Sequence, residues 1–258
     1  MAKWKLISWN VNGVRAIAKK GFAEWVAEEK PDVLCIQETK AQEEQLGADI
    51  TQLEGYQSSW VSAEKKGYSG VGLYTRHEPV SITNSFADGR FVSEGRTMIV
   101  EYPEFTLFNV YFPNGKKNKE RLDYKMDFYE AILEQWESLR KSGKRIIICG
   151  DVNTAHKEID LARPAGNSKI SGFLPIERAW IDKIIEKGYV DVLRQHTQEP
   201  DIYTYWDMKT RARDRNVGWR IDYFYVTDDL APNVSKAWVN ADVLGSDHCP
   251  ISIEVNTD

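Results

Sequence analysis

Ile146-Ile147-Ile148-Cys149 follows Arg145 without a polar break and runs straight into Gly150-Asp151-Val152-Asn153. A short apolar run that does not alternate predicts a strand buried on both faces, and the switch to Gly, Asp and Asn predicts a polar tip at its carboxyl end. The pattern recurs twice. Lys5-Leu6-Ile7-Ser8-Trp9 ends in Asn10-Val11-Asn12, and Asp32-Val33-Leu34-Cys35-Ile36 ends in Gln37-Glu38-Thr39-Lys40. Further strands are expected at Gly70 to Arg76, Thr97 to Tyr102, Phe105 to Phe112, Trp219 to Val226 and Ile251 to Val255. Between them lie helical periods. Leu122, Met126, Tyr129, Leu133, Trp136 and Leu139 step by three and four until Gly143; Pro175 opens a second helix with Ile181, Ile184 and Ile185 inward until Gly188; Phe22, Trp25 and Val26 mark a third that stops before Pro31. Strands outnumber helices and several pair as hairpins, which predicts an α/β sandwich with helices covering the sheets.

Composition narrows the class. In 258 residues, 42% hydrophobic and 28% charged, wholesale disorder and a fibrous rod are excluded. No apolar run approaches the roughly 20 residues of a membrane-spanning helix, and Asn10 and Asn12 interrupt the first apolar segment too early for a secretory leader. Three cysteines without metal-like spacing point to a reduced, intracellular protein, cytoplasmic or nucleoid-associated if the source is prokaryotic. No repeat or linker divides the chain, and its length fits one large domain or two small ones. The net charge of −5, taken alone, weighs against a nucleic-acid ligand.

The strand tips carry Asn10, Asn12, Glu38, Asp151, Asn153, Asp222, Asp247 and His248. These are carboxylates and amides with one imidazole, and no serine or cysteine in a nucleophile context. Oxygen-rich clusters suit Mg²⁺ or Mn²⁺, and an Asp–His pair beside such a cation is machinery for hydrolysing a phosphate ester. An Asn or Asp alone is ordinarily a turn residue, Glu38 after a buried strand is harder to dismiss, and His248 alone reads equally well as a satisfied loop histidine; their shared position at the ends of apolar runs is the signal.

Longer motifs then become recognisable. Ser8-Trp9-Asn10-Val11-Asn12-Gly13, Gln37-Glu38-Thr39-Lys40, Gly150-Asp151-Val152-Asn153-Thr154-Ala155-His156, Ile159-Asp160-Leu161, Asn216-Val217-Gly218-Trp219-Arg220-Ile221-Asp222-Tyr223 and Gly245-Ser246-Asp247-His248-Cys249-Pro250 resemble, in order, the motifs of exonuclease III-like AP endonucleases of the endonuclease/exonuclease/phosphatase superfamily. The resemblance implies a DNase I-like four-layer α/β sandwich of two packed, mostly antiparallel β-sheets flanked by helices. It also implies Mg²⁺-dependent hydrolysis of the phosphodiester 5′ to an abasic site, leaving a 3′-hydroxyl, with 3′-to-5′ exonuclease or 3′-phosphodiesterase activity. Mn²⁺ is expected to substitute. The partner implied is double-stranded DNA with an abasic site or a 3′ end, bound by a monomer and with no membrane involved.

Carried over residue by residue, Glu38 matches the main metal-ligand carboxylate, with Asn10, Asn12 and Asp247 nearby. Asp151 matches the group that activates water and Asn153 the one that positions it. His248 matches the imidazole facing the phosphate, Asp222 its carboxylate partner, and Tyr111 a phosphate-binding tyrosine with Asn114 beside it. Tyr205, Trp219 and Ile221 match a pocket for a flipped-out abasic sugar, and Asn167 lies in a loop expected to contact DNA. The chain departs from the family pattern at Asn12 (Asp in some members), Lys117 (Arg), Lys209 (an apolar inserting side chain) and Ile170 (polar).

Charge by segment revises the total. Residues 115–125 and 205–220 each carry +3, the first with Lys116 and Lys117, the second with Arg211 and Arg213, against a strongly acidic remainder. Both runs adjoin aromatic, site-like residues and are expected to track phosphates. Trp25, Trp136 and Trp180 are expected in the core, and Cys35, Cys149 and Cys249 are expected to be buried as small hydrophobes. Two alternatives stay open from sequence: the same phosphodiesterase chemistry on another substrate, whether undamaged or damaged-base DNA or the inositol phosphates and sphingomyelin cleaved by enzymes of the same fold, and a non-catalytic DNA-binding module.

Overall fold

The buried run Ile146–Asp151 is the eighth of twelve strands found among the described residues of the computed structural model, which describes residues 2–257. In chain order the strands are β1 (Ala2–Asn10), β2 (Val33–Gln37), β3 (Gln57–Val61), β4 (Val71–Thr75), β5 (Ser81–Thr83), β6 (Thr97–Glu101), β7 (Thr106–Tyr111), β8 (Ile146–Asp151), β9 (Tyr189–Asp191), β10 (Asp222–Thr227), β11 (Val234–Val239) and β12 (Ile251–Thr257). The helices are α1 (Val14–Ala18), α2 (Phe22–Glu29), α3 (Ala48–Thr51), α4 (Lys119–Lys141), α5 (Pro164–Asn167), α6 (Pro175–Glu186) and α7 (Val192–His196). One sheet has the order β11-β12-β1-β2-β4-β3 and the other β5-β6-β7-β8-β10-β9. Each holds a single parallel pair near its centre, β1 with β2 and β7 with β8, among antiparallel neighbours. Two mixed six-stranded sheets flanked by helices make the expected sandwich.

Why the central strands do not alternate is now visible. Successive side chains of a strand point to opposite faces. Val33 and Cys35, with Ile147 and Cys149, fill the core between the sheets. Leu34 and Ile36 pack outward under Phe22 and Val26 of α2. Ile146 and Ile148 pack outward under Tyr129 and Trp136 of α4 and Trp180 of α6. Burial on both faces removes the polar half of the pattern, and each fully buried aliphatic side chain contributes about 1.5–3 kcal/mol.

The long helices begin and end where their chemistry dictates. Asn118 caps α4 by accepting the Arg121 N–H, and Gly143 follows its end at φ 83°. Pro175 opens α6, and Gly188 closes it at φ 89°. Gly150 is required within β8, because a Cβ there would lie 1.9 Å from the Val110 carbonyl oxygen of the adjacent strand. That close approach sets Asp151 at the strand's tip.

Some expectations fail. Ile185 is 40% exposed, because it lies about a quarter-turn from the centre of the face formed by Glu177, Trp180, Ile181 and Ile184. Trp25 is only half-buried, its ring edge-on to Trp9 beside the solvent. Trp136, Trp180 and the three cysteines are buried as expected. Trp219 and Ile221 precede β10, which begins at Asp222.

Candidate active site

Strand register brings the polar tips together. Asp151 lies opposite Asp222 across β8 and β10 and beside Tyr111 of β7. In the other sheet Asn10 ends β1 next to Gln37 of β2, one residue before Glu38. The two sheets are stitched at this edge by Asn10, whose Nδ2 donates to Glu38 Oε2 at 3.0 Å and to Asp151 Oδ2 at 2.9 Å. The Asn12 backbone N–H holds Asn10 Oδ1 at 3.0 Å, and Asn12 Nδ2 donates to Asp247 Oδ1 at 2.9 Å.

Asn153 follows Asp151 by two residues and folds back on it. Its backbone N–H donates to Asp151 Oδ1 at 2.8 Å, and its Nδ2 lies 3.2 Å from Asp151 Oδ2. Asn114 Nδ2 donates to Asn153 Oδ1 at 2.9 Å. Such a turn needs left-handed backbone, found at Asn153 (φ 56°), Asn12 (φ 47°), Glu38 (φ 57°) and Lys40 (φ 52°). Clustered non-glycine residues in this region mark strain held in place by surrounding contacts.

His248 lies between two carboxylates, with Nδ1 2.8 Å from Asp222 Oδ2 and Nε2 3.8 Å from Asp151 Oδ2. Burial alone would lower its pKa, but Asp222 and then Asp151 outweigh it and carry the imidazole up to about 10. Burial pushes Asp151 up to about 7 against the pull of His248. The site therefore sets a carboxylate poised near neutrality beside a lasting cation. Although Asp151, Asp222 and His248 present atoms within 4.8 Å of one another, an imidazole held as a cation has no lone pair for a metal. A second group of hard oxygens lies on Glu38, Asn10, Asn12 and Asp247, linked by hydrogen bonds. The Lys40 ammonium already sits there, 2.8 Å from Glu38 Oε1 and hydrogen-bonded to Asn12 Oδ1, so the geometry accepts positive charge.

Asp151, Asp222, His248 and Asn10 are buried, whereas Glu38, Asn12, Asp247, Tyr111 and Asn114 form a half-exposed rim. Burial and then the Glu38 carboxylate push the Tyr111 phenol well above its ordinary value, leaving it a donor. Beside His248 an apolar cluster joins Ala155, Leu161, Phe173 and Ile221 with Tyr205 and Trp219. The Tyr205 ring centroid lies 4.9 Å from that of His248.

The basic runs need correction. Lys125 and Arg220 are completely buried and paired, Lys125 with Glu177 and Arg220 with Asp160 and Asp191, so neither adds to the surface charge. Arg213 donates to the Ala241 and Val243 carbonyls and stacks 4.6 Å over Trp206, which makes it a loop clamp rather than a free phosphate contact. Lys116 and Lys117 do line a cleft with Tyr68, Arg96, Tyr111 and Asn114, and Lys116 reaches 5.4 Å from the Trp219 ring. Arg211 is exposed. Asn167 is half-exposed and donates to the carbonyl of Arg163, the residue that precedes its short helix.

Sequence reasoning passed over four contributors, Lys40 described above and three more. Thr204 accepts the Ile221 and Asp222 N–H groups and donates to Asp222 Oδ2 at 2.6 Å, fixing that carboxylate. Ser246 donates to the Asn10 carbonyl at 2.8 Å and accepts the His248 N–H, joining the first and last motifs. The Arg96 guanidinium supports the Tyr111 ring at 4.7 Å. Ser246 and Lys40 stand inside quoted motifs; Thr204 and Arg96 carry no local signal.

With the geometry established, comparison with known proteins is specific. The sequence model of the Endonuclease/Exonuclease/phosphatase family matches residues 7–248. An exodeoxyribonuclease of Bacillus subtilis is 42% identical over 256 residues, covering 98% of this chain and 99% of the relative. The DNA repair nuclease APEX1 of Danio rerio is 39% identical over 255 residues, covering 98% of this chain and 82% of the relative. Among solved structures, the AP endonuclease LMAP from Leishmania major superposes with a TM-score of 0.88 at 30% identity, covering 98% of this chain and 88% of that one.

Proposed function

The chain belongs to the endonuclease/exonuclease/phosphatase family and is a nuclease, and from that premise we propose that it hydrolyses the DNA phosphodiester 5′ to an abasic site, with 3′-to-5′ exonuclease or 3′-phosphodiesterase activity at strand ends. The observation that carries this is the placement of the poised Asp151 carboxylate and the His248 cation 3.8 Å apart at one rim, beside the apolar cluster of Tyr205, Trp219 and Ile221. Asp151 takes a proton from water oriented by Asn153. His248, held by Asp222 in one tautomer, offsets the charge that grows on the phosphoryl oxygens, and Tyr111 and Asn114 donate to the same group. The apolar cluster accepts a sugar without a base and gives an intact base no polar partner.

Glu38, Asn10, Asn12 and Asp247 would hold Mg²⁺ or Mn²⁺, which supplies Lewis-acid neutralisation of the phosphoryl charge. All four offer hard oxygens, and Lys40 already places positive charge among them. Asn12 removes one negative charge relative to an Asp at that position. Residues 1–258 are taken as one catalytic domain acting as a monomer inside the cell. Among the described residues no helix is long and apolar enough to cross a membrane.

A duplex with one abasic analogue is expected to be nicked once, on the 5′ side, to a 3′-hydroxyl. EDTA should stop the reaction, and added Mg²⁺ or Mn²⁺ should restore it. Equal rates on an undamaged duplex would replace this proposal with a non-specific nuclease. The exposed side chains of Lys117, Lys209 and Ile170 are where a shift in substrate range would arise.

Binding should weaken steeply with salt. Replacing Lys116 and Lys117 together with Ala is expected to flatten the log–log slope by about two. Arg213→Ala should leave the slope near that of the wild type, because its guanidinium is committed to backbone carbonyls. A slope unmoved by the double lysine variant would place the DNA on another face.

A further inference from the structure

Lys125 of α4 and Glu177 of α6 form an ion pair with both side chains at 0% exposure, and every hydrogen-bonding site of the pair is used. The ammonium's three donors go to Glu177 Oε1 at 2.6 Å, the Asn153 carbonyl at 2.8 Å and Thr154 Oγ1 at 2.8 Å. Glu177 Oε1 also accepts the Ser171 hydroxyl at 2.8 Å, while Oε2 accepts the Gly172 and Leu174 N–H groups at 2.6 and 3.0 Å. One end of the pair thus grips the backbone of Asn153. The other grips the loop that brings Phe173 to the apolar cluster.

We propose that Lys125 and Glu177 are a positioning pair that fixes Asn153 against Asp151 and sets the Ser171–Leu174 wall of the pocket relative to it. This rests on the water-orienting role of Asn153 given above. Asn153 holds a left-handed backbone at φ 56°, which asparagine adopts readily at turns, so the direction of its carbonyl is left to its hydrogen-bond partners. Its side chain is fixed by Asp151 and Asn114; Lys125 fixes its carbonyl. The two loops also touch directly, since the Ala155 N–H donates to the Gly172 carbonyl at 2.8 Å and a Cβ on Gly172 would meet the Asn153 carbonyl at 3.3 Å. Stability alone does not explain the pair, because well-packed apolar side chains of similar volume commonly replace a buried ion pair without loss. Apolar side chains have no means of holding a carbonyl in one loop and two N–H groups in the other.

The test compares the wild type with Lys125→Met/Glu177→Gln, which removes both charges but keeps acceptors for Gly172 and Leu174. Two readouts are taken: amide hydrogen exchange at Ala155 and Gly172, and steady-state nicking of an abasic duplex. Exchange should speed up by about tenfold or more. The kcat should fall by about 10²-fold with KM little changed, the signature of a misplaced group rather than lost binding. Lys125→Arg, which keeps the cation and its donors, should recover most of both. Exchange unchanged, or kcat unchanged, overturns the proposal. Ser171→Ala, which removes one hydrogen bond to Glu177 Oε1 and leaves the two charges paired, carries the same two readouts should the double variant fail to fold. If the wild type does not nick abasic duplex, the functional proposal falls, while exchange still decides whether the pair holds the two loops.

Discussion

Asp151→Asn is expected to lower the nicking rate by about 10²–10⁴-fold, the range for removing a general base, while the protein stays folded. Asn keeps the shape but only one acceptor oxygen, so it serves either the Asn10 amide, which donates to Oδ2, or the Asn153 N–H, which donates to Oδ1, and not both; the ability to take a proton disappears with the charge. The wild-type rate should climb as pH rises through about 7, where Asp151 loses its proton, and the residual rate of the variant should lack that limb. The sign for stability is opposite. A raised carboxyl pKa means that the folded chain keeps a proton the unfolded chain has already lost, so stability falls as pH rises from about 4 toward that value. Asn carries no such penalty but leaves one buried donor without an acceptor, so the two effects oppose and the variant's Tm at pH 8 should stay within about 10 °C of the wild type. Wild-type activity in Asp151→Asn would exclude Asp151 as the base; a sharply lower Tm would make it structural.

His248→Asn is expected to cost about 10²–10³-fold in kcat, the magnitude for deleting one donor to a developing oxyanion. Its pKa near 10 keeps the imidazole charged across the neutral range, so the wild-type rate should hold a plateau and then fall as pH passes about 10. The variant should lack that alkaline fall. The stability His248 contributes is fully present below about 6.5 and is lost as pH rises through its folded pKa. The Tm gap between wild type and variant should therefore close above pH 10. A loss under about tenfold, or an alkaline limb retained in the variant, would remove His248 from the mechanism.

What the sequence revealed and what it hid divide along physical lines. The central strands and the three longer helices were legible because double-sided burial and helical periodicity leave local patterns. The four strands that escaped, β3, β5, β9 and β11, are the outer strands of the two sheets. Edge strands are kept short or polar to discourage pairing between molecules; β5 is exposed throughout, and β11 has two exposed residues. They therefore lack the apolar run that betrays a strand. Of the clustered residues, Asn10, Glu38 and Asp151 were nameable because each follows an apolar run, whereas Asp222, which begins β10, and His248, in the loop before β12, stood out through the motifs around them.

The charges were not. Lys116 and Lys125 look alike in a window of eleven residues, yet one reaches toward Trp219 and the other is sealed against a glutamate 52 positions away. The net charge of −5 hid basic loops, and the loop counts in turn included Lys125 and Arg220, which face no ligand. By itself, the sequence determined the central strands, the three longer helices and the oxygen and nitrogen side chains at their tips, since periodicity and strand termination depend on near neighbours. Only the tertiary structure decided which tips meet, as Asn10 meets Asp151 across 141 residues, and which cations remain free for DNA. A charge's role depends on the partner that long-range packing places beside it, and no local pattern records that partner.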